Sequence, residues 1–425
     1  MNRFFPFLIL TAFAAAAWRE LTSAPGTMAA IGKSAIDAAG QAVTLAIGLL
    51  GVMSLFLGLM RIAEAGGLLT VVARLLQPLM VRLFPDVPAN HPAMGAMIMN
   101  FSANFVGLGN AATPFGIRAM QELERLNPHP GTATNAMVMF LALNTSGLTL
   151  LPTGVIALRA SLGSTDPAAI FPTTLIATTA ATLVAGFTAW WLARWFPSAA
   201  PDQLPIPSAN QAEKDSPAVE PVVPYPWWAT PLFLAGILSL IPLTWWFGPA
   251  VSAWLIPTLI AGFLLFGLTR GVAVYDQFVD GAREGFTVAV RIIPYLVAIL
   301  VAVAMLRASG ALDGFVALLA PITTPMGMPA EALPMALLRP FSGSGAYAVM
   351  AGIMSDPATG PDTRVGWLVS TIQGSTETTF YILAVYYGAI GIQRVRHTVL
   401  AALAADVAGI ATAVWAVNLF YPTAA

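Results

Sequence analysis

The sequence contains no cysteine and very little charge. Its 425 residues include three histidines, and 9% of them are Asp, Glu, Lys or Arg, against about 25% in soluble domains. Without cysteine the chain can form no disulfide, thiolate metal site or cysteine nucleophile. Lys and Arg are scattered and the net charge is -1, so we find no basic patch for nucleic acid. Hydrophobic residues make up 57% of the chain, and this composition predicts a membrane protein.

Motifs of the common enzyme classes are also missing. The sequence has no His-Glu-x-x-His, no Walker loop and no Gly-x-Ser-x-Gly elbow. The run 107–112 imitates the glycine spacing of a dinucleotide site, but no strand is predicted before it. The three histidines, His91, His129 and His397, are far apart and are typical of isolated side chains near the ends of membrane spans. We therefore predict that the protein is not an enzyme and has no resident cofactor or metal.

Apolar segments suited to cross a bilayer run along most of the chain. A helical span needs ~20 apolar residues, and the candidates are 4–18, 41–60, 133–158, 168–196, 227–247, 250–269, 287–306, 364–390 and 397–420. The first is short and is also compatible with a signal peptide, but the multi-span chain behind it favours a first span. Two further segments, 91–117 and 331–354, contain Pro, Gly and polar residues. They predict re-entrant hairpins, with tips at 100–104 and 342–345.

A linker rich in Pro and polar residues divides the chain at 198–226. It separates a membrane half at 1–197 from a second at 227–425. Five predicted spans lie between Arg61 and Arg307, which have corresponding positions in the two halves. This odd number places them on opposite faces. The predicted fold class is therefore an all-α polytopic membrane protein with two inverted repeats, each with a re-entrant helical hairpin and a broken transmembrane helix.

Four polar stretches interrupt the apolar segments and form the predicted binding site. Non-helical backbone survives at bilayer depth only when it is buried in protein or lines a cavity, and such breaks indicate binding sites in secondary transporters. The candidate residues of the hairpins are Asn100, Ser102, Asn104, Asn110, Ser342 and Ser344. Those of the broken helices are Asn144, Thr145, Ser146, Gln373, Ser375, Thr376, Glu377 and Thr378. The alternative is that the small residues only let membrane helices pack closely.

Three charged residues lie inside apolar segments: Arg339, Glu377 and Asp406. Intramembrane ionisable groups are costly and mark functional sites by default. Glu377 is therefore a candidate for binding a proton, a sodium ion or a donor group of a substrate; alternatively it is a buried acid or faces an interior arginine. Asp406 is a weaker candidate for an ion site. Arg339 either faces a cavity or fixes the base of the second hairpin.

Several long motifs resemble the spore maturation proteins A and B, joined end to end. The first half resembles protein A at 82–88 (RLFPDVP), 91–97 (HPAMGAM), 107–116 (GLGNAATPFG) and 132–137 (TATNAM). The second half resembles protein B at 339–345 (RPFSGSG) and 373–381 (QGSTETTFY). The resemblance covers nearly the whole chain apart from the linker.

This resemblance implies two nucleoside-recognition, or gate, domains. Such domains also occur in concentrative nucleoside transporters, where paired hairpins and broken helices form the site. The longer Asn-Glu and Gln-Thr motifs of those transporters have no residue-by-residue match here, so nucleoside specificity is not implied. The family name records spore maturation, and nothing in the sequence says that the organism forms spores.

Two functions fit these observations. The first is transport of a small polar or charged solute through a midplane site, with Na⁺ or H⁺ as the expected coupling ion. The second is a non-transporting membrane factor that scaffolds or regulates cell-envelope or spore maturation. We expect a multi-pass protein of the bacterial cytoplasmic (inner) membrane with a cytoplasmic N-terminus, since this orientation leaves most Lys and Arg inside. The expected partners are a small-molecule or ion substrate and membrane lipids, without nucleic acid; a homo-oligomer stays open.

Overall fold

The computed structural model describes residues 4–107, 109–147, 152–196, 225–226 and 228–421. This part of the chain is almost entirely helical and contains no strand beyond an isolated bridge between Thr132 and Arg394. The α-helices are α1 (Phe4–Thr22), α2 (Thr27–Ala65), α3 (Leu68–Leu83), α4 (Pro92–Val106), α5 (Gly109–Arg125), α6 (Asn135–Thr145), α7 (Thr153–Ser161), α8 (Phe171–Leu192), α9 (Ala229–Thr269), α10 (Val274–Ala308), α11 (Ala311–Thr323), α12 (Leu333–Leu338), α13 (Gly343–Met354), α14 (Arg364–Ser375), α15 (Thr379–Gly388) and α16 (Thr398–Phe420). The predicted linker at 198–226 lies outside the described residues except for 225–226.

Three helices of the described part, α2, α8 and α16, are long and apolar enough to cross a membrane. They coincide with the predicted spans at 41–60, 168–196 and 397–420. Where two spans were predicted at 227–247 and 250–269, the structure has the single helix α9. This helix continues through Gly248 and Pro249, residues that are tolerated inside membrane helices. The chain is an all-α polytopic membrane protein, as predicted.

Helices α2 and α10 pack antiparallel. The Ser54 hydroxyl donates to the Ala282 carbonyl oxygen at 3.0 Å, and Gly58, four residues later in α2, lies against Phe278, four residues earlier in α10. The numbering therefore rises along one helix as it falls along the other. Glycine at the contact allows the two backbones to approach closely.

Helices α8 and α16 also pack antiparallel. His397, just before α16, lies 3.1 Å from the Ala189 carbonyl oxygen near the end of α8. At the other end, the Tyr421 hydroxyl donates to the Ala169 carbonyl oxygen at 2.7 Å. These two helices contribute side chains to both of the apolar cores described below.

The two predicted hairpins are helix–turn–helix pairs, α4–α5 and α12–α13. The first pair turns at Gly107, which has a left-handed φ of 91°. In the second pair, Ser342 caps α13 by accepting a hydrogen bond from the Gly345 amide at 3.0 Å. The predicted first tip at 100–104 is wrong, because these residues lie inside α4. The side-chain donors of Asn100, Ser102 and Asn104 all bond to protein groups, so the segment does not need to leave the helix.

The apolar segments 133–158 and 364–390 are each interrupted, at the positions the polar residues indicated. Helix α6 ends at Thr145 and α7 begins at Thr153. Helix α14 ends at Ser375, and Thr376 is extended, with φ -140° and ψ 167°, before α15 begins at Thr379.

Buried apolar side chains form two cores on either side of these interruptions. The first contains α7, α14 and the second hairpin, with parts of α2 and α10. The second contains α3, the first hairpin, α6 and α15. Each broken helix therefore has one part in each core, and the polar interruptions lie between the cores.

Loops at the two outer ends join the halves. Asp362, before α14, accepts hydrogen bonds from Arg159 at 3.1 Å and from Ser164 at 2.5 Å, in and just after α7. At the other end, the Gln393 amide after α15 donates to the Gly131 carbonyl oxygen before α6 at 2.9 Å. Each half thus fixes the entry of the other half's broken helix.

Candidate functional site

The two interruptions meet backbone to backbone. The Glu377 amide donates to the Thr145 carbonyl oxygen at 2.8 Å. Gly147 continues the first interruption with a left-handed φ of 61°, and a Cβ there would lie 2.9 Å from the Glu377 nitrogen. Both the backbone conformation and the lack of space require glycine at this position. The Thr178 hydroxyl of α8 donates to the Gly147 carbonyl oxygen at 2.8 Å and completes its bonding.

Hydroxyl groups at the interruptions bond to backbone carbonyls in the last turn of the preceding helix. Thr145, Ser146 and Ser375 each donate to the carbonyl oxygen three residues earlier, at 2.9, 2.8 and 2.9 Å. Ser146 also lies 3.0 Å from the Thr182 hydroxyl of α8. Backbone groups inside a membrane protein need such partners. These three predicted residues therefore stabilise the ends of the broken helices.

A buried arginine joins the second hairpin to the second interruption. The Arg339 side chain is 4% exposed, and its guanidinium donates to the Thr378 hydroxyl at 3.0 Å and to the Thr376 carbonyl oxygen. It lies at the C-terminal end of α14, where free carbonyls carry partial negative charge. A Cβ on Gly343 would lie 2.6 Å from the Thr378 hydroxyl. Arg339 follows α12 directly, so these bonds fix the turn of the second hairpin, and not its base as one of the two predictions had it.

We call the place where residues 145–147 meet residues 376–377 the crossing. Its exposed carboxylate is that of Glu377. Its side chain is 49% exposed, while Arg339 lies beside it at 3.8 Å between the nearest nitrogen and oxygen. Thr376 and Thr378, on either side in sequence, are buried. The backbone of Glu377 is thus fixed by the other half of the chain, while its carboxylate remains about half exposed.

Predicted residues near Glu377 have different environments. Ser342 uses its hydroxyl to cap α13, and Ser344 lies partly buried in the first turn of that helix. Gln373 is partly buried in α14, and its side-chain oxygen has no hydrogen-bond partner among the described residues. The Gln373 side-chain oxygen is itself shielded from solvent.

Asparagines of the first half form a separate group. The Asn104 amide donates to the Asn144 side-chain oxygen at 2.9 Å, which joins α4 to the end of α6. Asn100 donates to the Tyr386 hydroxyl of α15 at 3.1 Å. Ser102 bonds within its own helix, to the Ile98 carbonyl oxygen at 2.7 Å.

Asn110, the remaining predicted residue, lies in the first turn of α5, and its side chain is outside the described part of the structure.

Sequence reasoning did not single out Tyr386, and it named Asp406 only as a weaker candidate for an ion site, outside the predicted binding residues. Tyr386 is buried and stacks on Phe140, with ring centroids 6.0 Å apart, and an aromatic residue in an apolar helix gives no signal of such a role. Asp406 is buried in α16 and accepts a hydrogen bond from the Thr379 hydroxyl at 2.7 Å. Its position as an acid in an apolar run is the signal that identifies it. In the described part of the chain, no group of three or more acidic residues and histidines is placed to hold a metal.

The fold and the site define an all-α polytopic membrane protein whose polar centre lies between two broken helices and two helix–turn–helix pairs. A family model described as "Gate: Nucleoside recognition" matches residues 46–162 and 289–393, more than half of the chain. The chain belongs to this family.

Two curated relatives match different parts of the chain. Spore maturation protein A of Bacillus subtilis (strain 168) is 43% identical over 171 residues, 40% of this chain and 85% of the relative. Spore maturation protein B of the same organism is 42% identical over 174 residues, 41% of this chain and 97% of the relative. The chain is thus similar to the two proteins joined in one polypeptide, as its motifs predicted.

A further relative is the inner membrane protein YjiG of Escherichia coli (strain K12). It is 36% identical over 94 residues, which are 22% of this chain and 61% of the relative. No solved structure gives a significant match.

Proposed function

We propose that the chain is a membrane transporter for a small polar or charged solute, with the binding site at the crossing of the two broken helices. The observation that carries this proposal is the exposed carboxylate of Glu377, fixed by Thr145 of the other half and placed beside the buried Arg339. Ionisable groups at such positions in membrane proteins line solute and ion pathways. We infer that the protein has no enzymatic activity and no resident cofactor.

The packing of the halves supports inverted repeats. Helices α2 and α10 occupy corresponding places in the two halves and are antiparallel, as are α8 and α16. Arg61 and Arg307 consequently lie at opposite ends of the α2–α10 pair. In inverted-repeat transporters, one repeat moves against the other around a central site. We propose that the two hairpins are re-entrant from opposite faces and gate access in this way.

The polar groups at the crossing suggest the class of solute. The exposed Glu377 carboxylate attracts a cationic or donor-rich group. The Gln373 side-chain oxygen, buried without a partner among the described residues, can accept a further hydrogen bond. The description of the matched family makes nucleosides, which carry several donors, the first class to test. Small amines are the second class, because they carry the opposite charge to Glu377.

The proposed location is the bacterial cytoplasmic (inner) membrane, with the N-terminus in the cytoplasm. The name of the relative YjiG supports this membrane. Lipids would surround the apolar helices, and the proposed partners otherwise are the solute and a coupling Na⁺ or H⁺.

Uptake into liposomes containing the purified full chain tests the proposal. A panel of radiolabelled nucleosides, amino acids and amines is applied to protein-containing and empty liposomes. We expect at least one class to accumulate, and Glu377→Gln to lower its uptake about tenfold, the effect of losing roughly 1.4 kcal/mol of interaction. Glu64→Gln is the matched control, because Glu64 pairs with Arg61 near the exposed end of α2. Equal uptake by Glu377→Gln and the wild type would show that the site is wrong.

A non-transporting membrane factor is the second candidate. The hydroxyls of Thr145, Ser146 and Ser375 bond within the protein, as expected of groups that only stabilise packing. Both spore maturation relatives are named for a developmental role. Stable co-purification with an envelope enzyme, together with no uptake of any solute in the panel, would favour this candidate.

A further inference from the structure

A second acid lies beneath the crossing, hidden from solvent. Asp406 in α16 is 2% exposed. One of its carboxyl oxygens, Oδ2, accepts from the Thr379 hydroxyl at 2.7 Å. The other, Oδ1, is buried without a hydrogen-bond partner among the described residues. A buried acceptor of this kind is costly unless something binds it.

The hydroxyl of Thr376 is also buried without a hydrogen-bond partner among the described residues. Thr376 packs on the same face of α16 as Asp406, because a Cβ on Gly409, three residues after Asp406, would lie 2.8 Å from the Thr376 methyl carbon. The Thr376 hydroxyl is close enough to the Asp406 carboxyl to interact with it as a hydrogen-bonding group. Two buried oxygens without hydrogen-bond partners thus lie near each other at the interruption of α14.

We propose that Asp406 is the proton-binding group of this protein and that its proton is exchanged during transport; the second part rests on the function proposed above. A proton on Oδ1 makes that oxygen a donor to Thr376, so one proton satisfies both oxygens. When the proton leaves to water, the Thr376 hydroxyl turns and donates to the ionised carboxylate. The threonine therefore serves both states, with no change required in the backbone.

The surroundings favour a proton over a metal cation. Hard metal cations take about six oxygen ligands, whereas the described residues offer two without partners. Arg339 also acts on this carboxyl and would repel a metal ion. A proton needs one acceptor and one neighbouring oxygen, and these are present.

The charged groups around Asp406 determine what protonation changes. Helices α6 and α8, which pack on α16, contain no charged residue, and α14 contributes only Arg364, at its far end. Helix α15 carries three tyrosines, Tyr381, Tyr386 and Tyr387. Arg339 is the charged group that acts on Asp406, and Glu377 lies 3.8 Å from Arg339. The three charges together therefore change from -1 to neutral when Asp406 binds a proton. A cation at Glu377 neutralises the same cluster, and we therefore expect a cationic solute and the proton to exchange for one another.

Infrared difference spectroscopy tests proton binding without any solute. The full chain in liposomes is titrated with acid, and the carboxylic C=O band is recorded for the wild type and variants. We expect Asp406→Asn to remove a band that Glu377→Gln and Asp362→Asn retain. Thr376→Val is expected to retain the band at a shifted frequency, because the buried acid has lost its hydrogen-bond partner. This second variant tests the proposal even if Asp406→Asn does not fold.

An unchanged spectrum in Asp406→Asn or Thr376→Val would overturn the proposal. A band that responds to NaCl at constant pH, and not to acid, would show that Asp406 binds sodium and not a proton, and this would overturn the proposal. Because no solute is present, proton binding can be confirmed when uptake fails, and uptake can be confirmed when this band is absent. The two proposals therefore fail separately.

Discussion

The Glu377 amide lies 2.8 Å from the Thr145 carbonyl oxygen, and this hydrogen bond connects residues from the two halves of the chain. It joins one helix interruption directly to the other, and the space beside it at Gly147 has no room for a side chain. Arg339 then satisfies the next carbonyl, that of Thr376. The crossing therefore has a fixed backbone and one adaptable group, the Glu377 carboxylate, and the variants below separate these two parts.

Replacing Gly147 is expected to destabilise the fold. Gly147→Ala adds a Cβ at a left-handed φ of 61° and 2.9 Å from the Glu377 nitrogen, a cost of about 1–3 kcal/mol for the strained conformation alone. Thermal unfolding in detergent should show a lower Tm. Gly154→Ala is the matched control, because nothing lies within 4 Å of a Cβ at that position. Equal Tm values for the two variants would contradict the crossing geometry.

Removing Arg339 should cost more than removing an exposed arginine. Arg339→Ala leaves the buried Thr376 carbonyl and Thr378 hydroxyl without their donor, and leaving such a group unsatisfied costs about 1–3 kcal/mol. The half-exposed pair with Glu377 adds little, because solvent screens it. Arg339→Lys should recover only part of this, since an ammonium does not reproduce the planar guanidinium. Chemical unfolding followed by tryptophan fluorescence measures the loss.

The exposed Arg61–Glu64 pair provides the comparison for Arg339. Arg61→Ala should change stability by about 1 kcal/mol or less. Similar losses in Arg339→Ala and Arg61→Ala would mean that the buried contacts do not stabilise the site.

We expect that the contact between α2 and α10 has no room for an added methyl group, so that adding one destabilises the fold. A Cβ on Gly281 would lie 2.5 Å from the Leu57 carbonyl oxygen and 2.9 Å from the Gly58 Cα, so Gly281→Ala must push the two helices apart. Overpacking of this kind costs about 1–3 kcal/mol. Gly40→Ala, on α2 with open space around it, should be neutral or slightly stabilising. The Tm of each variant in detergent gives the answer, and a neutral Gly281→Ala would refute the close approach.

The absence of cysteine makes a thiol introduced by mutation the only one in the chain. Glu377→Cys should react with a membrane-impermeant maleimide, because that side chain is 49% exposed. Ser375→Cys should stay unlabelled, since Ser375 is fully buried two residues away. Gel-shift labelling in intact cells and in inverted vesicles measures both. Labelling of Ser375→Cys at the rate of Glu377→Cys would contradict the described exposure.

Acid is expected to weaken the loop contact at Asp362. Burial by itself raises the pKa of this carboxyl, but hydrogen bonds from Ser164 and Thr165, with the charge of Arg159, outweigh it and hold the pKa below its ordinary value. The contribution to stability is complete above the unfolded pKa of about 3.9 and is lost as the pH falls through the lower folded value. The Tm of the wild type should therefore fall below about pH 4.

The Asp362→Asn variant tests that dependence. It should have a lower Tm than the wild type at pH 7 and a smaller further fall in acid. Asp280→Asn removes a more exposed carboxylate that pairs with Arg283 and serves as the control. A wild type and an Asp362→Asn variant with the same pH profile would exclude the contribution of this loop.

Helix interruptions were predictable because polar residues inside apolar segments need special partners. The stretches at Asn144–Ser146 and Gln373–Thr378 end their helices as expected. The prediction failed at 100–104, where Asn100 and Ser102 find partners without leaving α4. Sequence shows that a residue is polar, but not whether a neighbouring helix satisfies it. The turn at Gly107 was the better signal, since a left-handed φ favours glycine.

Contacts between the halves were beyond sequence reasoning. Thr145, the partner of Glu377, is 232 residues away. The bond is between backbone atoms, so it does not depend on residue type and the sequence cannot reveal it. Tyr386 owes its contacts to the packing of α15 against Asn100 and Phe140 of the other half. These contacts become visible only when both halves are folded together.

The exchange of contacts at the outer loops has a consequence for how the molecule assembles. Arg159 of the first half and Asp362 of the second close one end, and Gly131 with Gln393 closes the other. A half made alone would have neither a complete crossing nor a fixed entry to its broken helix. Covalent fusion fixes the stoichiometry of the two halves at one to one, and it converts their association into an intramolecular step governed by tether length rather than by cellular concentration.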